Sequence, residues 1–149
     1  MSAAKKTVAV LGGSGYVAGE LLRLVADHPD LTLDAVSSTS LADQHIADCF
    51  PNLAGCLPEA RFVTPAVLQA RLEAGAIDGL FCAAPHGAAA SVLAELLPES
   101  PADGPAVVDA SADFRFRSAA AYETVYGHAH GAPGMIERFD CAVPEHRTT

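Results

Sequence analysis

The chain has 149 residues, half of them hydrophobic, enough to bury one substantial core and in keeping with a single domain. A formal charge of −9 argues against nucleic acid and anionic membrane as main partners, yet leaves room for a phosphorylated ligand held by backbone N–H groups and a few arginines. Residues Met1 to Lys6 lack the apolar core of a secretion signal, no later run is long enough to span a bilayer, and Cys49, Cys56, Cys82 and Cys141 show no C-x-x-C spacing, so they read as reduced thiols of a cytoplasmic protein.

Thr7–Leu11 is an apolar run of strand length. It breaks into Gly12-Gly13-Ser14-Gly15, and Tyr16–Asp27 follows with Leu21, Leu22, Leu24 and Val25 at helical spacing. Strand, glycine turn and helix are the local architecture of a dinucleotide-binding fold. Glycines let the backbone approach a pyrophosphate, and the first N–H groups of the helix favour negative charge there. The stretch Gly12, Gly13, Ser14, Gly15, Tyr16, Val17 and Ala18 is therefore the expected phosphate cradle. Two registers fit, Gly13-x-Gly15-x-x-Ala18 and Gly12-x-x-Gly15-x-x-Ala18. The plainer alternative is a glycine turn that only links strand to helix.

His28-Pro29-Asp30 ends the first helix, and Leu31–Val36 forms the second strand. The loop Ser37-Ser38-Thr39-Ser40 follows. In such a unit an acid at this place would bond a ribose 2′-OH and repel a 2′-phosphate. Hydroxyls stand here instead, with Asp34 earlier, inside the strand. Ser38 and Ser40 are thus expected at the adenosine end, and NADP is favoured over NAD; a merely polar loop is the competing view. Leu41–Leu53 reads as a short helix ended by Pro51, and Gly55–Pro58 as a turn. Arg61-Phe62-Val63 reads as a short strand and Pro65–Ala74 as a helix. Asp78–Ala83 is a strand followed by Ala84-Pro85-His86-Gly87. Ala88–Leu97 is a helix stopped by Pro98, and Ala106–Asp109 is a further strand. Ser118–Tyr126 reads as helical, with Gly127–Thr149 mostly irregular. Strands alternating with helices imply an α/β, Rossmann-like, doubly wound parallel sheet, whose ligands lie beyond the C-terminal strand ends.

Several stretches together resemble N-acetyl-gamma-glutamyl-phosphate reductases, the arginine-biosynthesis members of the semialdehyde dehydrogenase superfamily. Gly12-Gly13-Ser14-Gly15-Tyr16 with Glu20-Leu21-Leu22-Arg23 is similar to their N-terminus. Ala84-Pro85-His86-Gly87 resembles their Leu-Pro-His-Gly loop. Asp109-Ala110-Ser111-Ala112-Asp113-Phe114-Arg115 is close to their Ser-Ala-Asp-Phe-Arg segment. Tyr126-Gly127-His128-Ala129-His130 with Ala132-Pro133 is similar to Tyr-Gly-x-x-His-x-x-Pro, and Val143-Pro144-Glu145 to Gly-Leu-Pro-Glu. The matches run in family order from residue 7 to about residue 146.

The resemblance implies NADPH-dependent reduction of an acyl phosphate to N-acetylglutamate semialdehyde with release of phosphate. A thiolate would expel phosphate, and the resulting thioester would accept hydride. In the family the nucleophilic cysteine lies in a Pro-Gly-Cys-Tyr segment beyond the point this chain reaches, and a catalytic domain with the histidine acid/base follows. The 149 residues are accordingly expected to supply the cofactor site and no catalytic residue. Pro85, His86 and Gly87 are expected near the nicotinamide or its adjoining phosphate, unless His86 is only a loop histidine. Ser111 and Arg115 are expected toward the substrate, the guanidinium forking onto phosphate or carboxylate unless it pairs with Asp109 or Asp113. Tyr126, His128 and His130 lack the further ligands of a metal site and read as a segment ordered against the missing domain. That domain or a homo-oligomer partner is the expected protein neighbour. Two other readings stand beside this one. One is a free-standing NADP-binding module without catalysis. The other is a related reductase of carrier-linked amino-adipyl or aspartyl phosphate.

Overall fold

The structure is a computed structural model that describes residues 4–142; Val143, Pro144 and Glu145 lie outside the described residues. Four parallel strands form one sheet: β1 (Lys6–Leu11), β2 (Leu31–Ser37), β3 (Gly79–Cys82) and β4 (Ala106–Asp109), in the order β2-β1-β3-β4. Among the described residues five α-helices accompany them: α1 (Tyr16–Ala26), α2 (Ile46–Cys49), α3 (Pro65–Glu73) and α4 (Ala89–Leu96) between the strands, and α5 (Ala119–Tyr126) after β4. The expected doubly wound parallel sheet is the observed one.

β1 explains why the sheet is buried on both sides. Its residues Val8, Ala9, Val10 and Leu11 are all buried, as a central parallel strand requires. Val10 packs with Ala18 and Leu22 of α1, Val36, Ile46, Leu53 and Phe62 on one face. Ala9 and Leu11 pack on the other face with Leu68 of α3, Leu80 and Cys82 of β3, and Leu93 of α4. Period-2 alternation along the strands therefore divides the core into two layers.

Two expected elements differ from the structure. The segment from Leu41 to Leu53 is not one helix. Asp43 takes a left-handed φ of 66°, α2 is a four-residue helix, and Pro51–Leu53 is a separate 3₁₀ turn. Proline has no N–H to give, so Pro51 cannot continue α2 and instead opens the next turn. The residues from Arg61 to Val63 do not form a strand. Val63 makes a parallel bridge to Ser37 and Arg61 an antiparallel bridge to His45. Partners of opposite direction on neighbouring residues leave no continuous ladder. Val63 still marks the place of a strand outside β2, so the chain runs outward from β1 to Val63 and then returns to β3.

That return makes β1 and β3 the neighbours between which the winding reverses, the place where α/β sheets bind ligands. The loops leaving the two strands touch there. A Cβ at Gly12 would lie 2.7 Å from the Ala84 backbone nitrogen.

Candidate functional site

Gly12 leaves β1 with φ +77°, the left-handed region that side chains disfavour. Gly13 then turns back under β2. Its N–H donates to the Ser37 carbonyl at 2.8 Å, and a Cβ there would overlap the Val36 side chain at 2.3 Å. Gly15 is unlike both. It is the N-cap of α1 with ordinary extended backbone, and a Cβ there would meet nothing within 4 Å. No side chain caps α1, so the first-turn amides of Tyr16, Val17 and Ala18 have no side-chain acceptor at the N-cap, and the space over Gly15 is open. An uncapped helix N-terminus facing space is the arrangement that accepts a phosphate. Of the two registers, the left-handed turn falls on Gly12. Ser14, Gly15, Tyr16 and Val17 are exposed and Ala18 is buried against the sheet. Gly19 adds a packing role that the sequence does not announce. A Cβ there would lie 2.7 Å from the Phe50 ring, which reaches α1 from 31 residues away.

At the C-terminal end of β2, Ser38 and Ser40 part company. Ser38 is buried, its hydroxyl accepts the Leu41 N–H at 3.3 Å, and its own N–H donates to the Val63 carbonyl. It holds the loop in shape, whereas Ser40 and Thr39 are exposed. Asp34 lies within β2 as expected, at a shift of register between Val8 and Ala9 where it has no β1 partner. Arg71 of α3 binds both its carbonyl, at 2.8 Å, and its carboxylate, at 2.7 Å. No acid therefore stands at the C-terminal end of β2.

The loop after β3 carries Pro85, His86 and Gly87, all exposed. Its geometry is set by a buried carboxylate, Asp113, which is 1% exposed. Asp113 Oδ1 accepts the Gly87 N–H at 2.8 Å and pairs with His86 Nδ1 at 2.7 Å, and Oδ2 accepts the Ala90 N–H at 3.0 Å. The Tyr122 hydroxyl donates to Oδ1 at 3.4 Å. Burial alone would raise the Asp113 carboxyl, but the Gly87 and Ala90 amides and the adjacent His86 outweigh it and hold it below the ordinary carboxylate value. Burial and the Asp113 charge push the Tyr122 phenol up. The sequence offered Asp113 only as a possible partner for Arg115; its place as the hub of this loop was missed because its donors are remote in sequence.

The segment Tyr126, His128 and His130 packs on this same loop, so part of its order comes from within the described residues. The Tyr126 ring lies 4.3 Å from His86, and His128 lies 6.2 Å from it, centroid to centroid. His130 is buried. Its Nδ1 accepts the Ala132 N–H at 3.0 Å, so Nε2 carries the proton and donates to the Asp113 carbonyl at 2.9 Å. Both ring nitrogens are thereby used within the fold.

Ser111 and Arg115 line a groove of about 690 Å³ beside β4, together with Val107, Asp109, Arg138 and Phe139. The Ser111 hydroxyl donates to Asp109 at 2.6 Å and accepts the Asp113 N–H at 3.0 Å, so it braces the loop. Arg115 is exposed, and among the described residues no carboxylate pairs with it: Asp109 is taken by Ser111 and Asp113 by His86. Cys82 is fully buried and its thiol is pushed up to about 12, chiefly by burial.

Residues 7–135 match the family described as semialdehyde dehydrogenase, NAD binding domain. The chain belongs to that family. The semialdehyde dehydrogenase NAD-binding domain thus accounts for the glycine turn, the sheet order and the switch-point loops together. The chain is 39% identical over 138 residues to the N-acetyl-gamma-glutamyl-phosphate reductase of Pseudomonas aeruginosa (strain UCBPP-PA14), covering 93% of this chain and 38% of that protein. It is 40% identical over 138 residues to the protein of the same name from Ectopseudomonas mendocina (strain ymp), with the same coverage. The chain therefore spans about two-fifths of the length of these relatives. Among solved structures, aspartate semialdehyde dehydrogenase with NADP from Candida albicans aligns with a TM-score of 0.53 at 16% identity, covering 87% of this chain and 41% of that one, which shows the shared fold. The family is one of oxidoreductases. Among the described residues no helix is long and apolar enough to cross a membrane.

Proposed function

We propose that this chain is the cofactor-binding part of an N-acetyl-gamma-glutamyl-phosphate reductase, with NADP as its dinucleotide. The observation that carries the reading is the meeting at the switch point: Gly12 against Ala84, with open space over Gly15 and an uncapped α1 between them. The substrate class follows from relatives of that name at about 40% identity along nearly the whole chain.

The amides from Gly15 to Ala18 hold the pyrophosphate, and the exposed hydroxyls of Thr39 and Ser40 meet the adenosine end. Pro85, His86 and Gly87 flank the nicotinamide, which supplies hydride when bound. Arg115 faces the groove beside β4 as the cation for the substrate's phosphate or carboxylate. The thiol that expels phosphate belongs to the part of the relatives that this chain does not span.

Fluorescence titration of the chain with NADPH and NADH tests the cofactor. NADPH binds more tightly, and Ser40→Asp weakens NADPH more than NADH; equal losses reject the 2′-phosphate assignment. Gly15→Val leaves the fold intact and weakens NADPH at least about tenfold, because its side chain enters the space kept for phosphate. Unchanged affinity rejects the cradle. Joined to the remaining length of its relatives, the chain reduces N-acetylglutamyl phosphate in preference to aspartyl phosphate.

A further inference from the structure

We propose that Asp113 is the positioning residue of the cofactor site: it sets the Pro85–Gly87 loop, and presents His86, for the nicotinamide half of the dinucleotide. The proposal rests on the cofactor reading above and names what makes that loop competent. α4 begins at Ala89 with Ala88 as its N-cap, a residue that has no side-chain acceptor to offer. Asp113 supplies the acceptors from 26 and 23 residues away, one oxygen to the Gly87 N–H and the other to the Ala90 N–H. Capping α4 needs no more than this. Yet the oxygen that takes Gly87 also takes His86 Nδ1 at 2.7 Å. A carboxylate only accepts, so neutral His86 carries its proton on Nδ1 and keeps Nε2 as an acceptor. The Tyr126 ring at 4.3 Å and the Tyr122 ring at 6.0 Å hold the imidazole plane. The same loop begins at Ala84, in contact with Gly12, so Asp113 fixes the β3 wall of the switch point.

Asparagine cannot replace this group. Its NH₂ must face either Ala90 or the Gly87–His86 pair, placing donor against donor. A role confined to folding would weaken every ligand alike; a role at the nicotinamide end would not. The test is binding of NADPH against 2′-phospho-ADP-ribose, which lacks the nicotinamide. Asp113→Asn raises the NADPH dissociation constant about tenfold and leaves that of 2′-phospho-ADP-ribose unchanged. His86→Phe keeps both α4 caps and gives the same split, so the test survives if Asp113→Asn folds poorly. Nitrogen-15 NMR of the wild-type chain finds His86 protonated on Nδ1. Equal loss of both ligands, no loss of either, or a His86 proton on Nε2 overturns the proposal. Failure of the wild-type chain to bind either ligand overturns the cofactor reading and this proposal with it. Normal wild-type binding with unchanged variants overturns this proposal alone.

Discussion

Gly12 and Gly15 stand three residues apart in one loop and are glycines for different reasons. At Gly12 both the left-handed φ and the Ala84 backbone at 2.7 Å forbid a side chain. Gly12→Ala should cost roughly 2 kcal/mol or more, read as a lower urea midpoint with unchanged slope. Gly15→Ala has neither obstacle and should stay within about 0.5 kcal/mol of wild type in the same measurement. Asp113 governs acid stability by the same local logic. Its carboxyl is held below the ordinary value in the fold, so its contribution is complete above the unfolded value of about 4 and is lost as pH falls through the lower folded value. Denaturation midpoints measured down through that window should fall more steeply for the wild type than for Asp113→Asn. Parallel curves would reject the assignment.

Helix ends show where local sequence suffices. Thr64 caps α3, its hydroxyl accepting the Val67 N–H at 3.3 Å, with Pro65 in the first turn. Ser118 does the same for α5 through the Ala121 N–H at 3.2 Å, and Gly127 closes that helix in the left-handed region at φ +75°. Thr64→Ala should cost about 1 kcal/mol in chemical denaturation, the usual worth of an N-cap. α1, α2 and α4 break the pattern, since none has a side-chain cap of its own. α4 is capped from a distance by Asp113, and α1 is left open over Gly15. The departures at α1 and α4, though not that at the four-residue α2, coincide with the proposed site, as expected where function competes with stability.

For the whole molecule, the edge of the sheet is the exposed feature. β4 is an edge strand among the described residues, Val108 is 55% exposed, and the groove beside it is lined by Val107 and Phe139. An apolar sheet edge invites association, against the resistance of a net charge of −9. Sedimentation at high protein concentration should show this chain associating and Val108→Lys shifting it toward monomer. A wild-type chain that stays monodisperse and monomeric counts against it.

The order of strands and helices, the glycine turn and the loop after β3 were legible in the sequence because each rests on neighbours: alternation, helical spacing, capping residues and glycine. So did the hydroxyl-rich end of β2 and the early position of Asp34. Tertiary structure alone decided the rest. Leu41–Leu53 broke into a turn, α2 and a 3₁₀ turn, with the Asp43 N–H on the Phe62 carbonyl and the Phe50 ring against Gly19 of α1. Ser38 proved to be internal support while Ser40 stayed exposed. Above all, Asp113 became the hub of His86, Gly87, Ala90 and Tyr122. No spacing rule links those residues, since a buried carboxylate finds its donors wherever packing brings N–H groups to it, and only the folded chain fixes which ones those are.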